Sequence, residues 1–287
     1  MQRKATSLKK ATSLKKTDIR VIKPVRISKK GKKPVLGKEL IPDLNASVAF
    51  LAKTNSGKTT VIYNLLSKTL DDRTTVLIFS STVHVDPVYV KMVRMLKRKG
   101  INVHTFTSLV DDEGINRLDA FIGAIEETEQ EPEPKPEKLA PQITTHPVID
   151  LQIKEPEPEK KERKKKPKKT YKYSVPEYQI ILDDLSYAES RMPSIYNLLK
   201  KSRHLCRIFL SGQSLLTLSP NAFNQLTYVY IWKGFGDNHL KQLYQRMSTD
   251  LSFDQFKKLY EEITRPKYSF LNINLRTGEF RQNFYKI

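Results

Sequence analysis

The sequence of 287 residues predicts an α/β fold in which helices flank a mainly parallel β-sheet. Short apolar segments, typical of buried strands, alternate with amphipathic segments that have helical spacing. A basic segment precedes this alternation and a charged, proline-rich segment interrupts it. Without them about 200 residues remain, a length typical of one domain.

The first two strands are predicted at residues 47–51 and 75–79, where apolar residues follow one another. A polar turn follows the first strand, and a helix follows the turn. The apolar face of that helix is predicted at Ile62, Leu65, Leu66 and Thr69. After the second strand, Asp86 supplies a helix cap, Pro87 is suited to the first turn, and Gly100 ends the helix.

A third strand is predicted at residues 101–106, and Ser108 with three acidic residues at 111–113 should open the next helix. The apolar face of this helix is predicted at Ile115, Leu118, Ile122 and Ile125. Later strands are predicted at residues 178–182, 207–210 and 227–232, separated by helices at 193–203 and from Ser219 onward. Strands that alternate with helices favour a parallel sheet with right-handed crossovers.

The carboxyl-terminal part has a different pattern. Asp237 should cap one helix, and Ser252 with Gln255 forms a capping box for another. Apolar residues then alternate on both sides of Gly278, which predicts a terminal β-hairpin. Trp232, Phe235 and Tyr268 are expected in the core rather than in base stacking.

Charge is concentrated at two places in a chain of net charge +20. Residues 1–40 hold 14 basic and 2 acidic residues, and residues 159–172 hold 9 and 2. We interpret residues 1–40 as a disordered basic arm and residues 126–176 as a disordered Pro/Glu/Lys-rich insertion in a domain spanning 41–287. The apolar island at 143–153 is a linker or a short docking segment. The basic runs fit DNA binding and nuclear import equally well.

Several classes of protein are disfavoured by composition. The single cysteine, Cys206, cannot form an internal disulfide, and the five histidines lack the spacing of metal ligands. No segment reaches the roughly 18 apolar residues needed to span a bilayer, and the amino terminus lacks a signal-peptide core. We therefore expect an intracellular, soluble protein without a membrane partner.

A phosphate-binding loop is predicted between the first strand and its helix. Gly57 allows close approach of the backbone, Lys58 can reach the β- and γ-phosphates, and Thr59 can bind Mg²⁺. If Ala52, which stands where such loops open with glycine, needs a positive φ, the strain is about 1 kcal/mol. The predicted nucleotide-binding residues are Ala52, Lys53, Thr54, Asn55, Ser56, Gly57, Lys58, Thr59 and Thr60.

Two carboxylates end the apolar strand at residues 178–182. Burying such a pair is costly unless a cation lies beside it, so Asp183 is predicted as a second Mg²⁺ ligand. Asp184 is predicted to polarise the attacking water. The competing interpretation is a helix cap or loop pair.

Two further residues are candidates for catalysis. Gln213 follows the strand at 207–210 and could contact both the γ-phosphate and water, or it could be a plain turn residue. Arg203 ends the preceding helix and is either a helix-end cation or an arginine finger acting on a neighbouring subunit.

The ordered set of Ala52–Thr59, Ile180–Asp184 and residues 200–214 resembles the DNA-packaging ATPases of large eukaryotic DNA viruses, virophages and Polinton-like elements, within the FtsK/HerA superfamily of P-loop NTPases. This resemblance rests on two features. One is an Arg-His pair that precedes an apolar strand and a glutamine, and the other is the pair of aspartates. The resemblance covers roughly residues 45–235. The resemblance implies ring oligomers that translocate double-stranded DNA. It also implies a role for each matching residue: Lys58 and Thr59 in the nucleotide loop, Asp183 and Asp184 as the acidic pair, Gln213 as the sensor and Arg203 as the arginine typical of the family.

The main hypothesis is an ATPase that uses ATP and Mg²⁺ to drive double-stranded DNA into a viral or virus-like capsid. Its partners would be DNA, other copies of the chain in a ring, and capsid or portal proteins. It would act in the host nucleus or in a cytoplasmic virus factory, or be associated with the virion. The alternative is a noncatalytic scaffold with a degenerate loop that binds nucleotide and nucleic acid. A small-molecule kinase would need an acceptor pocket and lid arginines, which nothing in the sequence suggests.

Overall fold

The computed structural model describes residues 33–130, 171–213 and 218–287. The strands in these ranges are β1 (Ser47–Leu51), β2 (Thr75–Phe79), β3 (Asn102–Phe106), β4 (Tyr178–Asp183), β5 (Cys206–Gly212), β6 (Tyr228–Trp232), β7 (Phe270–Asn274), β8 (Phe280–Gln282) and β9 (Tyr285–Lys286). They form one sheet in the order β3-β2-β4-β5-β1-β6-β7-β8-β9. Pairs among β1 to β6 are parallel, and β7 to β9 add antiparallel strands at one side. The predicted mainly parallel sheet and terminal hairpin are confirmed.

Helices cover both faces of this sheet. They are α1 (Lys58–Thr69), α2 (Pro87–Arg98), α3 (Arg117–Gln130), α4 (Tyr187–Ser190), α5 (Pro193–Leu205), α6 (Pro220–Phe223), α7 (Asp237–Tyr244) and α8 (Phe253–Ile263). Helices α1 and α2 pack on one face, and α3 and α5 to α8 pack on the other. The fold thus has three layers.

Both faces of the central strands are buried, which explains their continuous apolar runs. In β1, Val48 and Phe50 face the core beneath α1 and α2, whereas Ala49 and Leu51 face the opposite core. Successive strand residues point to opposite faces, so a strand covered on both sides needs apolar residues at every position. Trp232, at 2% exposure, also lies in the first core, as predicted.

The helix boundaries agree with several predicted caps. The side chain of Asp86 accepts a hydrogen bond from the Val88 amide at the start of α2, and Ser252 with Gln255 forms the predicted capping box of α8. The predicted start of α3 was wrong. The side chain of Asn116 accepts bonds from the amides of Leu118 and Asp119, so this helix begins only at Arg117. Likewise, Gly236 rather than Asp237 is the residue before α7.

Parts of the predicted arm and insertion belong to the folded domain. The Leu36 amide donates to the Ser174 carbonyl at 2.9 Å, and the Ser174 amide donates to the Pro34 carbonyl at 2.8 Å. The Arg73 guanidinium lies 3.9 Å from the centre of the Tyr171 ring. Residues 33–40 and 171–176 therefore pair with each other and with the body of the domain, and α3 continues to Gln130, which corrects the predicted boundaries. Charge and proline content cannot reveal such short pairings. The predictions for residues 1–32 and 131–170, including the island at 143–153, lie outside the described residues.

Candidate phosphate and carboxylate site

The loop between β1 and α1 has the backbone shape of an anion-binding turn. Asn55 has φ 64° and Gly57 has φ 86°, so two residues with a left-handed backbone conformation lie two positions apart. The Ser56 side chain and amide both bond to the Lys53 carbonyl, which tightens the turn. Since the first amides of a helix have no partner within it, those of α1 are available to an anion. The loop can therefore bind phosphate oxygens.

Ala52 fits the loop without backbone strain. Its side chain is buried, and the residue does not have a positive φ. Its amide donates to the Gly212 carbonyl at 3.2 Å, which ties the start of the loop to the end of β5. A methyl group is therefore accommodated here, and the conformational argument for a degenerate loop is removed.

The two carboxylates lie beside the lysine of the loop. The Lys58 ammonium nitrogen is 3.0 Å from Asp183 Oδ1 and 3.4 Å from Asp184 Oδ1. The side chain of Asp183 is 3% exposed, whereas that of Asp184 is 49% exposed. Two residues that are 125 positions apart in the sequence thus meet at the carboxyl edge of the sheet.

Asp184 is directed by its own backbone conformation. It has φ 49°, and its amide donates to the Ser211 carbonyl at 3.2 Å. This bond continues the pairing of β4 with β5, in which Asp183 lies opposite Ser211. The two aspartates therefore differ: one is buried and held by partners, and the other faces solvent beside it.

Tyr89, a buried residue of α2, is a member of the site that the sequence does not predict. Its hydroxyl donates to Asp183 Oδ2 at 2.5 Å from the buried face of α2. Burial, and next the charge of Asp183, raise the pKa of this phenol far above its usual value. The hydroxyl therefore stays protonated and donates to the carboxylate. A buried tyrosine on an amphipathic helix gives no sequence signal for such a role.

Gln213 lies two residues beyond Ser211, at the exposed end of β5. It lines a cavity of about 300 Å³ together with Asp184 and Ser211. Since β5 lies directly beside β4, the glutamine and the carboxylates share one edge of the sheet.

Arg203 lies at the amino ends of the parallel strands, opposite the carboxyl edge that carries Lys58 and the aspartates. It is an exposed residue in the last turn of α5, just before β5 begins at Cys206. A strand of seven residues separates that point from Gly212, a distance of roughly 20 Å. Arg203 lines a polar cavity of about 330 Å³ with Arg246 and Arg276. It is therefore remote from Lys58 of its own chain.

Tyr268 is not a core residue, which corrects the prediction for it, whereas Phe235 is partly buried against the core as expected. Tyr268 is 57% exposed and its φ is 67°. Its ring lies against the phosphate loop, because a Cβ built on Gly57 would be 3.2 Å from Tyr268 Cδ1. The turn before β7 thus belongs to the surroundings of the loop.

The donor set fits a nucleoside triphosphate with Mg²⁺. Phosphate oxygens would meet loop amides and the Lys58 ammonium. The hydroxyl of Thr59, in the first turn of α1, and the carboxylate of Asp183 are oxygen ligands of the kind that Mg²⁺ prefers. Of the other predicted loop residues, Lys53, Thr54 and Thr60 are exposed.

Within the described parts of the chain, none of the helices combines the length and the apolar character needed to cross a membrane. No family model matches the sequence, and no curated protein does.

Solved structures of viral genome-packaging proteins are similar to this chain. The genome packaging NTPase B204 from Sulfolobus turreted icosahedral virus 2, in complex with AMP, is 15% identical, with 84% of this chain and 96% of that chain covered and a TM-score of 0.49. Its complex with AMPPCP gives 14% identity, coverage of 84% and 97%, and a TM-score of 0.49. The DNA-packaging ATPase B204 from Sulfolobus Turreted Icosahedral Virus gives 15% identity, coverage of 83% and 96%, and a TM-score of 0.48. Because these identities and TM-scores are low, the function proposed for this chain depends on the geometry of its own site.

Proposed function

We propose that this protein is an ATPase that drives double-stranded DNA into a viral or virus-like capsid. The observation that carries the proposal is the 3.0 Å distance between the Lys58 ammonium and the Asp183 carboxylate. It joins a phosphate-binding turn to a strand-end acid, which is the pairing that nucleoside triphosphate hydrolysis needs. The motif resemblance described above supports the choice of DNA packaging among the uses of such a site.

The loop binds the triphosphate through its amides and through Lys58. On binding, Lys58 exchanges its contacts with the two aspartates for contacts with the β- and γ-phosphate oxygens. Asp183 and Thr59 would hold Mg²⁺, whose positive charge offsets the charge that develops on the phosphates. Tyr89 keeps Asp183 oriented by donating to its second oxygen.

Asp184 is suited to act on the attacking water. Its side chain is half exposed, so water can reach it, and it lies within 3.4 Å of Lys58 and thus close to the bound phosphate. It accepts a proton from the water as the new bond to the γ-phosphorus forms, while the bond from that phosphorus to the bridging oxygen breaks and ADP leaves. Gln213, on the same cavity wall, would hold the water and the γ-phosphate in line.

The quaternary part of the proposal concerns Arg203. Because this residue lies at the edge opposite Lys58, it can act in catalysis only on the nucleotide of a neighbouring subunit. A head-to-tail ring provides such neighbours. The basic runs at 1–40 and 159–172 would bind DNA phosphates without sequence preference, and capsid or portal proteins would be further partners.

The decisive experiment compares ATP hydrolysis with and without double-stranded DNA for wild type, Lys58→Ala and Lys68→Ala. Lys68 is an exposed lysine at the other end of α1 and serves as the matched control. We expect DNA to stimulate hydrolysis by wild type and by Lys68→Ala, and Lys58→Ala to lose hydrolysis almost completely. Nucleotide binding by wild type without any turnover would contradict the proposal and favour the scaffold.

A further inference from the structure

Tyr268 occupies an unusual position next to the phosphate loop. It lies in the turn between α8 and β7, and its φ of 67° is uncommon for a bulky residue. More than half of the residue is exposed, at 57%, although the ring edge lies against Gly57. The exposed face of the Tyr268 ring is therefore directly adjacent to the residues proposed to bind phosphate.

The turn that carries Tyr268 is firmly anchored. The Ser269 amide donates to the Pro266 carbonyl at 3.1 Å, and the Phe270 amide donates to Asn283 Oδ1 at 3.0 Å. The Phe270 ring, next in the chain, lies 4.6 Å from the Trp232 ring in the core. These contacts hold Tyr268 in its left-handed conformation. A strained residue that its neighbours hold in place is a frequent feature of ligand sites.

The charges around Tyr268 suit an anionic ligand. The Lys267 ammonium lies 4.8 Å from the centre of the Tyr268 ring. On the other flank of the loop, the methylene groups of Lys53 pack over Gly234, because a Cβ built there would be 3.0 Å from Lys53 Cδ. Two basic residues thus frame the loop.

We propose that Tyr268 is the stacking platform for the base of the bound nucleotide. This inference rests on the proposed phosphate site, because the phosphates must occupy the loop for the base to reach the ring. Bases stack on aromatic rings whatever their identity, since each base has a π-face. Tyr268 therefore contributes affinity for nucleoside triphosphates in general, and little preference for adenine over guanine.

The test compares dissociation constants of ATP, GTP and inorganic tripolyphosphate for the full chain and for Tyr268→Gly and Tyr268→Phe. Glycine adopts a positive φ without strain, so this variant removes the ring and leaves the turn intact. Tyr173→Ala is the control for loss of an exposed tyrosine elsewhere, because Tyr173 lies beside Arg73, which precedes β2 at the amino ends of the strands.

For Tyr268→Gly we expect ATP and GTP to bind about tenfold more weakly, with tripolyphosphate binding and thermal stability unchanged or higher. Tyr268→Phe and Tyr173→Ala should bind all three ligands as wild type does. Unchanged ATP affinity in Tyr268→Gly would overturn the stacking proposal, as would an equal loss for ATP and tripolyphosphate. Failure of wild type to bind tripolyphosphate would instead refute the phosphate site itself, and the stacking proposal with it.

Discussion

At the scale of single residues, Asp183 is the centre of the proposed site, because each of its carboxylate oxygens contacts another residue of that site. One carboxylate oxygen faces Lys58 and the other accepts the Tyr89 hydroxyl. Lys58 and the aspartates were identified from the sequence because a lysine after a glycine turn and acids after an apolar strand are unusual unless a ligand lies between them. Tyr89 was not, because its position in α2 is equally suited to an ordinary core residue.

The Tyr89 hydrogen bond leads to a prediction about Mg²⁺. In Tyr89→Phe, Asp183 loses a charge-assisted hydrogen bond of about 1.5–3 kcal/mol, which corresponds to roughly tenfold or more in binding. We expect the Mg²⁺ concentration that gives half-maximal ATP hydrolysis to rise about tenfold, as measured by titration at saturating ATP.

Tyr244→Phe is the control for Tyr89→Phe, because it removes a hydroxyl that donates to the Leu251 carbonyl. It should keep the Mg²⁺ dependence of wild type. If Tyr89→Phe also kept that dependence and lost only thermal stability, Tyr89 would be a core residue and not a positioning residue.

Because the thiol of Cys206, at the start of β5, is buried, we expect the folded protein to lose stability in alkali. Burial raises the pKa of its thiol from 9.0 to about 12. Between these values the unfolded chain releases the proton and the folded chain keeps it, so stability present below pH 9 is lost as the pH rises. At about pH 10 the loss is about 1.4 kcal/mol.

The measurement for Cys206 is urea unfolding at about pH 8 and pH 10 for wild type and Cys206→Ala. Groups other than the thiol titrate alike in both proteins. The difference between wild type and Cys206→Ala in the pH-dependent change of unfolding free energy is therefore due to the thiol. The free energy of unfolding should fall by about 1.4 kcal/mol more in wild type. Equal losses in the two proteins would show that the thiol ionises in the folded state.

At the scale of elements, the β1–α1 connection was predicted almost residue for residue. Its strand, turn and helix use different residue types, and the turn requires glycine at one position, Gly57, with φ 86°. The start of α3 was less predictable. Acidic residues at 111–113 favour a helix start, but the Asp111 side chain accepts the amides of Glu113 and Ile115 and forms a turn instead. Local hydrogen bonds of this kind compete with helix formation.

Two glycine substitutions should have opposite effects on stability. Gly57→Ala forces alanine to a positive φ and brings its Cβ to 3.2 Å from Tyr268, so we expect a loss of about 1–2 kcal/mol together with weaker tripolyphosphate binding. Gly123→Ala is the matched control within α3, where a Cβ meets no atom within 4 Å. It should gain about 0.5–1 kcal/mol. Urea unfolding measures both, and a neutral Gly57→Ala would contradict the positive φ of the loop.

At the scale of the whole molecule, the strand order determines which residues can act together. Strand β4 lies two places from β1, with β5 between them, so the ends of three parallel strands bring Lys58, Asp184 and Gln213 to one edge. The same parallel direction places Arg203, before β5, at the other edge. From the sequence, Arg203 is either a helix-end cation or an arginine finger, and its position excludes action on the nucleotide of its own subunit.

Mixed rings test whether Arg203 acts on the neighbouring subunit. Arg203→Ala and Asp184→Asn chains should each be inactive alone. Mixed in equal amounts, about one interface in four pairs an intact Arg203 with an intact Asp184 in a head-to-tail ring. We expect about a quarter of wild-type ATP hydrolysis if interfaces act independently. No recovery on mixing would leave Arg203 as a cation that stabilises the end of α5.

The sequence by itself determined the order of the main strands and helices, and it indicated which loop and which acids are suited to binding a nucleotide. Strand and helix periodicity, helix caps and glycine turns act over a few residues, so they can be read locally. Tertiary structure alone decided that Tyr89 bonds to Asp183, that Tyr268 lies against Gly57 and that residues 33–40 pair with residues 171–176. Each of these contacts joins distant parts of the chain through side chains or short backbone pairings, which have no periodic signature and form only when the sheet brings the segments together.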